Sequence, residues 1–407
     1  MSIPENPFIF GEIIEEPNFV DRTAELDQLV RDLADGQKVF LLSPRRFGKS
    51  SLVALAMLKL RKRHIHTVSL TVSSYASYTQ FLEKFAEKVL RAAGPWDRVK
   101  DWVTRFGRAV KPDISYNMAT SEVSVSLGRG AEFDPVPVAP DVFAMPGELT
   151  RNGGFRMAIC LDEFQQITEF DSGSVENALR NQVQEQREVG YVFAGSQPSL
   201  MREMLSSRRP FHKAGPQIFL DKIPAADWKE FIAHQFGRRG RKLDDAALEA
   251  VLTTADLIPY DVQRIAHELW DYAELRDKQH ITATDVTAVI EKLISSQSTW
   301  YETLWEQLSA GQRAARRPWR NGGRRTFTAK RYGASIGWAR PRRCRGRCSR
   351  SIRRTSSTAT TTATSSSIRC SRTGSGRRRP SNCYYCPLKP LLLHLETVSR
   401  LVQSGIG

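Results

Sequence analysis

Gly48-Lys49-Ser50 sets a backbone-permissive residue, a long cation and a hydroxyl side by side, the types a polyphosphate requires. Gly48 lets backbone N–H groups approach phosphate oxygens with no Cβ in the way. Lys49 reaches the β- and γ-phosphates, and the Ser50 hydroxyl ligates Mg²⁺. The loop opens at Ser43, where the phosphate-loop pattern has glycine and a small serine stands instead. The candidate nucleotide-binding residues are Ser43, Pro44, Arg45, Arg46, Phe47, Gly48, Lys49, Ser50 and Ser51. Further on, Asp162 and Glu163 stand as a carboxylate pair. Asp162 is expected to hold Mg²⁺ through water, and Glu163 to polarise the attacking water. Ser196 reads equally as a sensor of the γ-phosphate and as a turn or helix-cap residue. Arg45 and Arg46 read equally as phosphate or partner contacts and as solvated loop arginines. The chemistry expected is binding of a nucleoside triphosphate with Mg²⁺ and its hydrolysis, with Glu163, Lys49 and Ser196 as candidate catalytic residues.

These side chains need elements to position them. Val39–Leu42 is a short apolar strand running into the loop, and residues from Lys49 to Leu60 have helical spacing. The helix dipole at Lys49 adds positive character to the same anion site. His66–Val72 reads as a second strand, and Phe81, Phe85, Val89 and Leu90 mark the helix after it. Residues 155–161 are continuously apolar apart from Arg156 and end at the carboxylate pair. That is the pattern of a buried parallel strand with its functional groups at the carboxyl end. A helix over 174–188, an apolar strand from Tyr191 ending at Ser196, and a short strand over 216–221 follow. Ahead of the loop, a helix starts near Asp21, its expected N-cap, with Leu26, Leu29, Val30 and Leu33 on one face. Pro4, Pro7 and Pro17 make the first twenty residues an extended approach.

From about 224 the pattern is helical. Helices are expected over 226–236, 244–255, 259–273 and from 284, the last with Thr282 as N-cap. The segment 95–155 is the least regular part of the first half, an insertion whose residues 115–127 read as a strand pair. The fold expected is α/β: a P-loop parallel sheet, a small helical lid and a basic tail. The boundaries are 1–222 for the core with its insertion, 223–298 for the lid, 299–313 for the start of a winged-helix-like segment, and 314–407 for the tail.

Strand, phosphate loop, acidic-pair strand, polar-ended strand and helical lid, in that order, resemble the archaeal-type AAA ATPase group. That group is related to the STAND signalling ATPases and to origin-recognition ATPases. The resemblance spans about residues 6–308. It rests on Asn6-Pro7-Phe8, on Phe19-Val-Asp-Arg22-Thr-Ala-Glu25-Leu26, on Pro44-Arg45-Arg46-Phe47-Gly48-Lys49-Ser50, on Leu161-Asp162-Glu163-Phe164 and on Ala194-Gly195-Ser196. Ile258-Pro259-Tyr260-Asp261-Val262-Gln263 looks like the lid motif without the glycine usual before its proline. The resemblance implies ATP binding and hydrolysis with a lid that moves against the core. It leaves the partner open between an unknown protein and DNA, with a nucleotide-dependent homo-oligomer as a further expectation. The alternatives are a slow or non-hydrolysing signalling switch and a DNA-binding ATPase of the origin-recognition kind.

The net charge of +16 belongs to the tail. Residues 311–407 hold 23 Lys and Arg against Glu396 alone, or +22, so the first 310 residues carry −6. Residues 311–380 hold 20 Arg and no acid, and Thr355–Ser367 is an unbroken Ser/Thr/Ala run. Such a composition buries too little apolar surface to offset chain entropy, so the tail reads as disordered. The abrupt change near residue 314 reads as a frameshift that replaces the winged helix; the rival is a basic arm that binds nucleic acid through phosphates. Cys160 is expected in the core, and Cys344, Cys348, Cys383 and Cys386 have zinc-like spacing without a periodic segment to build a site around. No leader or membrane-length apolar run is visible, so a cytoplasmic location and no membrane partner are expected.

Overall fold

Five short apolar segments build the centre of the molecule, a computed structural model that describes residues 6–14, 18–94, 113–117, 122–127, 133–170, 174–296, 303, 306 and 307. The strands are β1 (Lys38–Leu42), β2 (His66–Thr71), β5 (Met157–Asp162), β6 (Val189–Gly195) and β7 (Gln217–Phe219), in the order β2-β5-β6-β1-β7 and all parallel. The residues of β1, β5 and β6 are apolar on both sides because helices cover both faces, while the outer strands β2 and β7 alternate buried with more exposed residues. Phe40, Leu42, Leu70, Ile159, Leu161 and Phe193 point into one core, and Val39, Leu41, Ala158, Cys160, Val192 and Ile218 into the other. Cys160 is a buried core residue, and burial pushes its thiol up in pKa.

Helices α1 (Thr23–Ala34) and α2 (Lys49–Lys62) cover the second face, Leu26, Leu29, Val30 and Leu33 burying as the 3.6-residue spacing predicts. On the first face lie α3 (Tyr78–Ala93), α4 (Ala139–Gly153), α5 (Ser174–Glu185) and α6 (Pro198–Met204), with Phe85 and Phe143 meeting edge to face and Phe81 tilted against both. Asp21 does not cap α1. The cap position is Arg22, at φ 61°, whose guanidinium donates to Asp221 O at 2.5 Å. The helix end is therefore tied to the far side of the sheet by a long side chain instead of an Asp carboxylate. In the irregular segment, β3 (Asp113–Asn117) and β4 (Glu122–Ser126) pair antiparallel, and the Val125 and Leu127 amides donate to Glu87 and Glu83 of α3.

Beyond β7 the elements are α7 (Ala225–Gly237), β8 (Lys242–Leu243), α8 (Asp245–Thr254), α9 (Pro259–Leu275), β9 (His280–Ile281) and α10 (Ala283–Ser295). Trp228, Phe236, Leu248, Val262, Leu269, Trp270 and Val286 make a separate core for this group, and Phe8 from the start of the chain enters it. Thr282 caps α10 as expected, in a full capping box with Asp285. Residues 1–296 and 297–407 form two units, and the tail, the start of the winged-helix-like segment and the cysteines beyond Cys160 lie outside the described residues, Thr303, Glu306 and Gln307 apart. Among the described residues no helix is long and apolar enough to cross a membrane.

Candidate nucleotide site

Strand order decides which residues meet. β1 lies between β6 and β7, and β6 lies between β1 and β5. The loop after β1, the carboxylates ending β5 and Ser196 just past β6 therefore converge at one edge of the sheet, outside the carboxyl ends of the strands. The register confirms it: Leu42 stands opposite Gly195, and Leu161 opposite Phe193.

In the loop, Arg46 at φ 72° and Gly48 at φ 83° take left-handed conformations. Gly48 is the N-cap of α2, and α2 begins at Lys49, so the helix dipole points into the loop. Ser43 is fully buried: its amide donates to Gly195 O at 3.2 Å and its hydroxyl to Pro44 O at 2.9 Å. This serine is a structural piece of the loop, tied to β6. Pro44 is half-buried, Phe47 is buried, and Arg45 and Ser50 are exposed. Ser51 is buried and its hydroxyl accepts from the Ile14 amide at 3.0 Å.

Lys49 is 7% exposed and its ammonium spans both carboxylates. It bonds Asp162 Oδ1 and reaches Glu163 Oε1 at 3.2 Å. Glu163 stands at φ 52°, a left-handed position unusual for a side chain of this size, with its amide donating to Asp162 Oδ1 at 2.8 Å. Ser196, 3% exposed, donates to Glu163 Oε2 at 2.6 Å, and Gln165 Nε2 donates to the same oxygen at 2.6 Å. Burial alone would raise the Glu163 pKa; the hydrogen bonds from Ser196 and Gln165, with the nearby Lys49 charge, outweigh it and hold the carboxyl below its ordinary value. The carboxylate is thus ionised and oriented at neutral pH. These contacts join Lys49, Asp162, Glu163 and Ser196 in one constellation.

The fold is α/β, a five-stranded parallel sheet with helices on both faces. No family model matches the chain, and no curated protein does. Solved structures similar to it include the Walker-type ATPase PABY2304 of Pyrococcus abyssi, at 14% identity and TM-score 0.49 over 74% of this chain and 80% of that one. The Thermotoga maritima RuvB Holliday junction branch migration motor follows at 14% and 0.39, over 69% and 72%. The Aeropyrum pernix ORC1 protein in complex with DNA stands at 14% and 0.42, over 68% and 66%. None of the three reaches a TM-score of 0.5.

Two features at the site escaped the sequence. Gln165 has no motif of its own, and only its place two residues past Glu163 could have marked it. Arg46 reaches the helical group: its carbonyl accepts from the Tyr260 amide at 3.2 Å, its guanidinium lies 4.9 Å from the Tyr260 ring, and it pairs with Asp261 at 3.7 Å. The Pro259-Tyr260 motif therefore meets the phosphate loop. Arg209 pairs with Glu176 at 3.8 Å and Glu203 at 4.0 Å, while Arg208 is exposed.

Proposed function

We propose that the chain binds ATP with Mg²⁺ and hydrolyses it. The observation that carries this reading is Lys49 at the start of α2, its ammonium on Asp162 and Glu163 while Ser196 holds Glu163 from the other side. The γ-phosphate competes for the same ammonium. Loop amides and Lys49 hold the phosphates, and Ser50 with Asp162 supplies hard oxygen donors that suit Mg²⁺. When bound, Mg²⁺ neutralises charge on the phosphate oxygens. Glu163 orients water and takes its proton, and Ser196 reports the γ-phosphate while holding Glu163.

Residues 223–298 act as a lid on the core of residues 1–222, with Arg46 joining the two through Tyr260 and Asp261. The work done by that movement goes to a protein or DNA partner, with nucleotide-dependent self-assembly a further expectation. A second reading, a slow or non-hydrolysing nucleotide-gated switch, draws on Lys49 resting against both carboxylates: phosphate binding must break those contacts before Glu163 can act.

The test is ATP turnover by the full chain, with and without DNA, beside Glu163→Gln. Wild type is expected to hydrolyse ATP. Glu163→Gln keeps its ATP affinity and loses about 100-fold or more in kcat. A Glu163→Gln protein as fast as wild type removes Glu163 from the role given to it, and wild-type binding without turnover selects the switch.

A further inference from the structure

One buried group beside Glu163 is unexplained by ATP binding alone. Gln165, 3% exposed, stands in the 3-10 helix Phe164–Glu169 directly after β5. Its Nε2 donates to Glu163 Oε2, and its own Oε1 has no hydrogen-bond partner among the described residues. A buried amide normally turns so that both its ends are satisfied. Turning this one over would set its oxygen against a carboxylate oxygen, acceptor against acceptor. Glu163 therefore fixes the orientation of Gln165, and the amide oxygen is left unpaired as the consequence.

The surroundings are shaped to hold this arrangement. A Cβ on Gly195 would lie 2.7 Å from Gln165 Oε1 and 2.4 Å from Met201 Cγ, so glycine before Ser196 keeps the amide's slot open. Ser196 then donates to the same Oε2 from the next position along the chain. Glu163 is held at its left-handed backbone by its amide bond to Asp162. Two donors thus fasten Oε2, and the other oxygen, Oε1, meets only Lys49 at 3.2 Å among the contacts of the site.

We infer that Gln165 is a positioning residue for hydrolysis: with Ser196 it pins Oε2, so that Oε1 is the atom that takes the proton from water. This rests on the ATPase reading above. When Lys49 turns to the phosphates, Oε1 is released while Oε2 stays fastened, and the carboxylate plane keeps its direction. In the step, the water oxygen bonds the γ-phosphorus and its proton passes to Glu163 Oε1. The bond from phosphorus to the β–γ bridging oxygen breaks, its electron pair leaving with ADP. With one donor missing, the other still holds the carboxylate, less closely; with both missing it rotates and Oε1 loses its aim.

The test uses the full chain with Gln165→Met, which keeps an unbranched side chain and removes the donor. ATP turnover, ATP affinity and thermal unfolding are measured together. Expected are a fall in kcat of about 10-fold, KM and affinity within about 2-fold of wild type, and an unchanged or raised midpoint because the unpaired oxygen is gone. Ser196→Ala is measured beside it, and the double variant is expected to fall by more than the product of the single losses, since it leaves Oε2 with neither donor. A structural role alone would lower the midpoint and leave that product intact. Should Gln165→Met not fold, Gln165→Leu carries the same comparison. Wild-type turnover unchanged by losing the donor, or losses that merely multiply, overturn this inference alone. A wild-type chain that binds ATP and never turns it over overturns the hydrolytic reading and the inference with it.

Discussion

Lys38 opens β1 at the end of the strand away from the phosphate loop, and its ammonium donates to Gly36 O at 2.6 Å, Gln186 O at 2.6 Å and Val189 O at 3.2 Å. Burial is the largest influence on it and, against the pull of Glu188, lowers its pKa to about 8 from the ordinary 10.5. The sign follows from proton counting. Between about pH 8 and 10.5 the unfolded chain holds a proton here that the folded chain has released, so Lys38 makes stability rise with pH across that window and leaves it flat below. Lys38→Met removes this slope. Urea unfolding of both proteins at pH 8 and pH 10 should show the wild type gaining on the variant; a constant difference between them rejects the assignment. Lys38 illustrates what single residues disclose in a sequence. A lysine beginning a strand carries no mark of three carbonyls converging from 36, 186 and 189. Gly48-Lys49-Ser50 was legible because phosphate binding is a local job of adjacent residues, and Gln165 was not, because its slot against Gly195 depends on how β5 and β6 are registered.

Elements came through the sequence wherever burial is two-sided. Apolar runs at 39–42, 157–161 and 191–195 became parallel strands, and helical spacing at 26–33 and 81–90 became covering helices. The sheet order was not written there, because each of these strands is equally apolar and nothing local says which neighbours which. Glycines at close approaches hold some of that missing information. Gly190 in β6 faces the C-terminal turn of α1, where an added Cβ would lie 2.2 Å from Leu33 O and 2.8 Å from Leu33 Cα. Both are backbone atoms of a packed helix and cannot swing aside. Gly190→Ala must therefore push α1 off the sheet or bend β6, at a cost of about 1–3 kcal/mol as for other overpacked sites. Denaturant midpoints for this variant and for Gly237→Ala, where an added Cβ meets nothing within 4 Å, separate the explanations. Gly237→Ala should be neutral or stabilising, because alanine leaves the unfolded chain less freedom to lose; a Gly190→Ala midpoint that matches it rejects the α1–β6 contact as the source of the loss.

At the largest scale, the helices after residue 224 are joined to the sheet's covering helices by residues that the sequence left as an extended approach. Three prolines in the first twenty residues gave no helix or strand to read, and a segment without regular structure says nothing local about where it docks. Asn6 Nδ2 donates to His267 O at 3.1 Å and to Asp271 Oδ1 at 2.8 Å, and the His267 ring meets Phe8 O at 2.6 Å. Phe8, 1% exposed, packs its ring against Phe231, Phe236 and Trp270 at centroid separations of 5.8, 5.4 and 6.0 Å. A few residues later the Ile14 amide reaches Ser51 on α2. The strap thus ties the helices after residue 224 to the helix that follows the phosphate loop, and the core of those helices is incomplete without it. Phe8→Ala empties a fully buried aromatic position, where transfer and cavity terms add to about 3–5 kcal/mol. Ile13→Ala, on the same strap but 55% exposed, should change stability by about 0.5 kcal/mol or less. The pair separates docking from mere presence: if Phe8→Ala shifts the unfolding midpoint no more than Ile13→Ala does, the ring is not part of that core and the strap does not hold those helices.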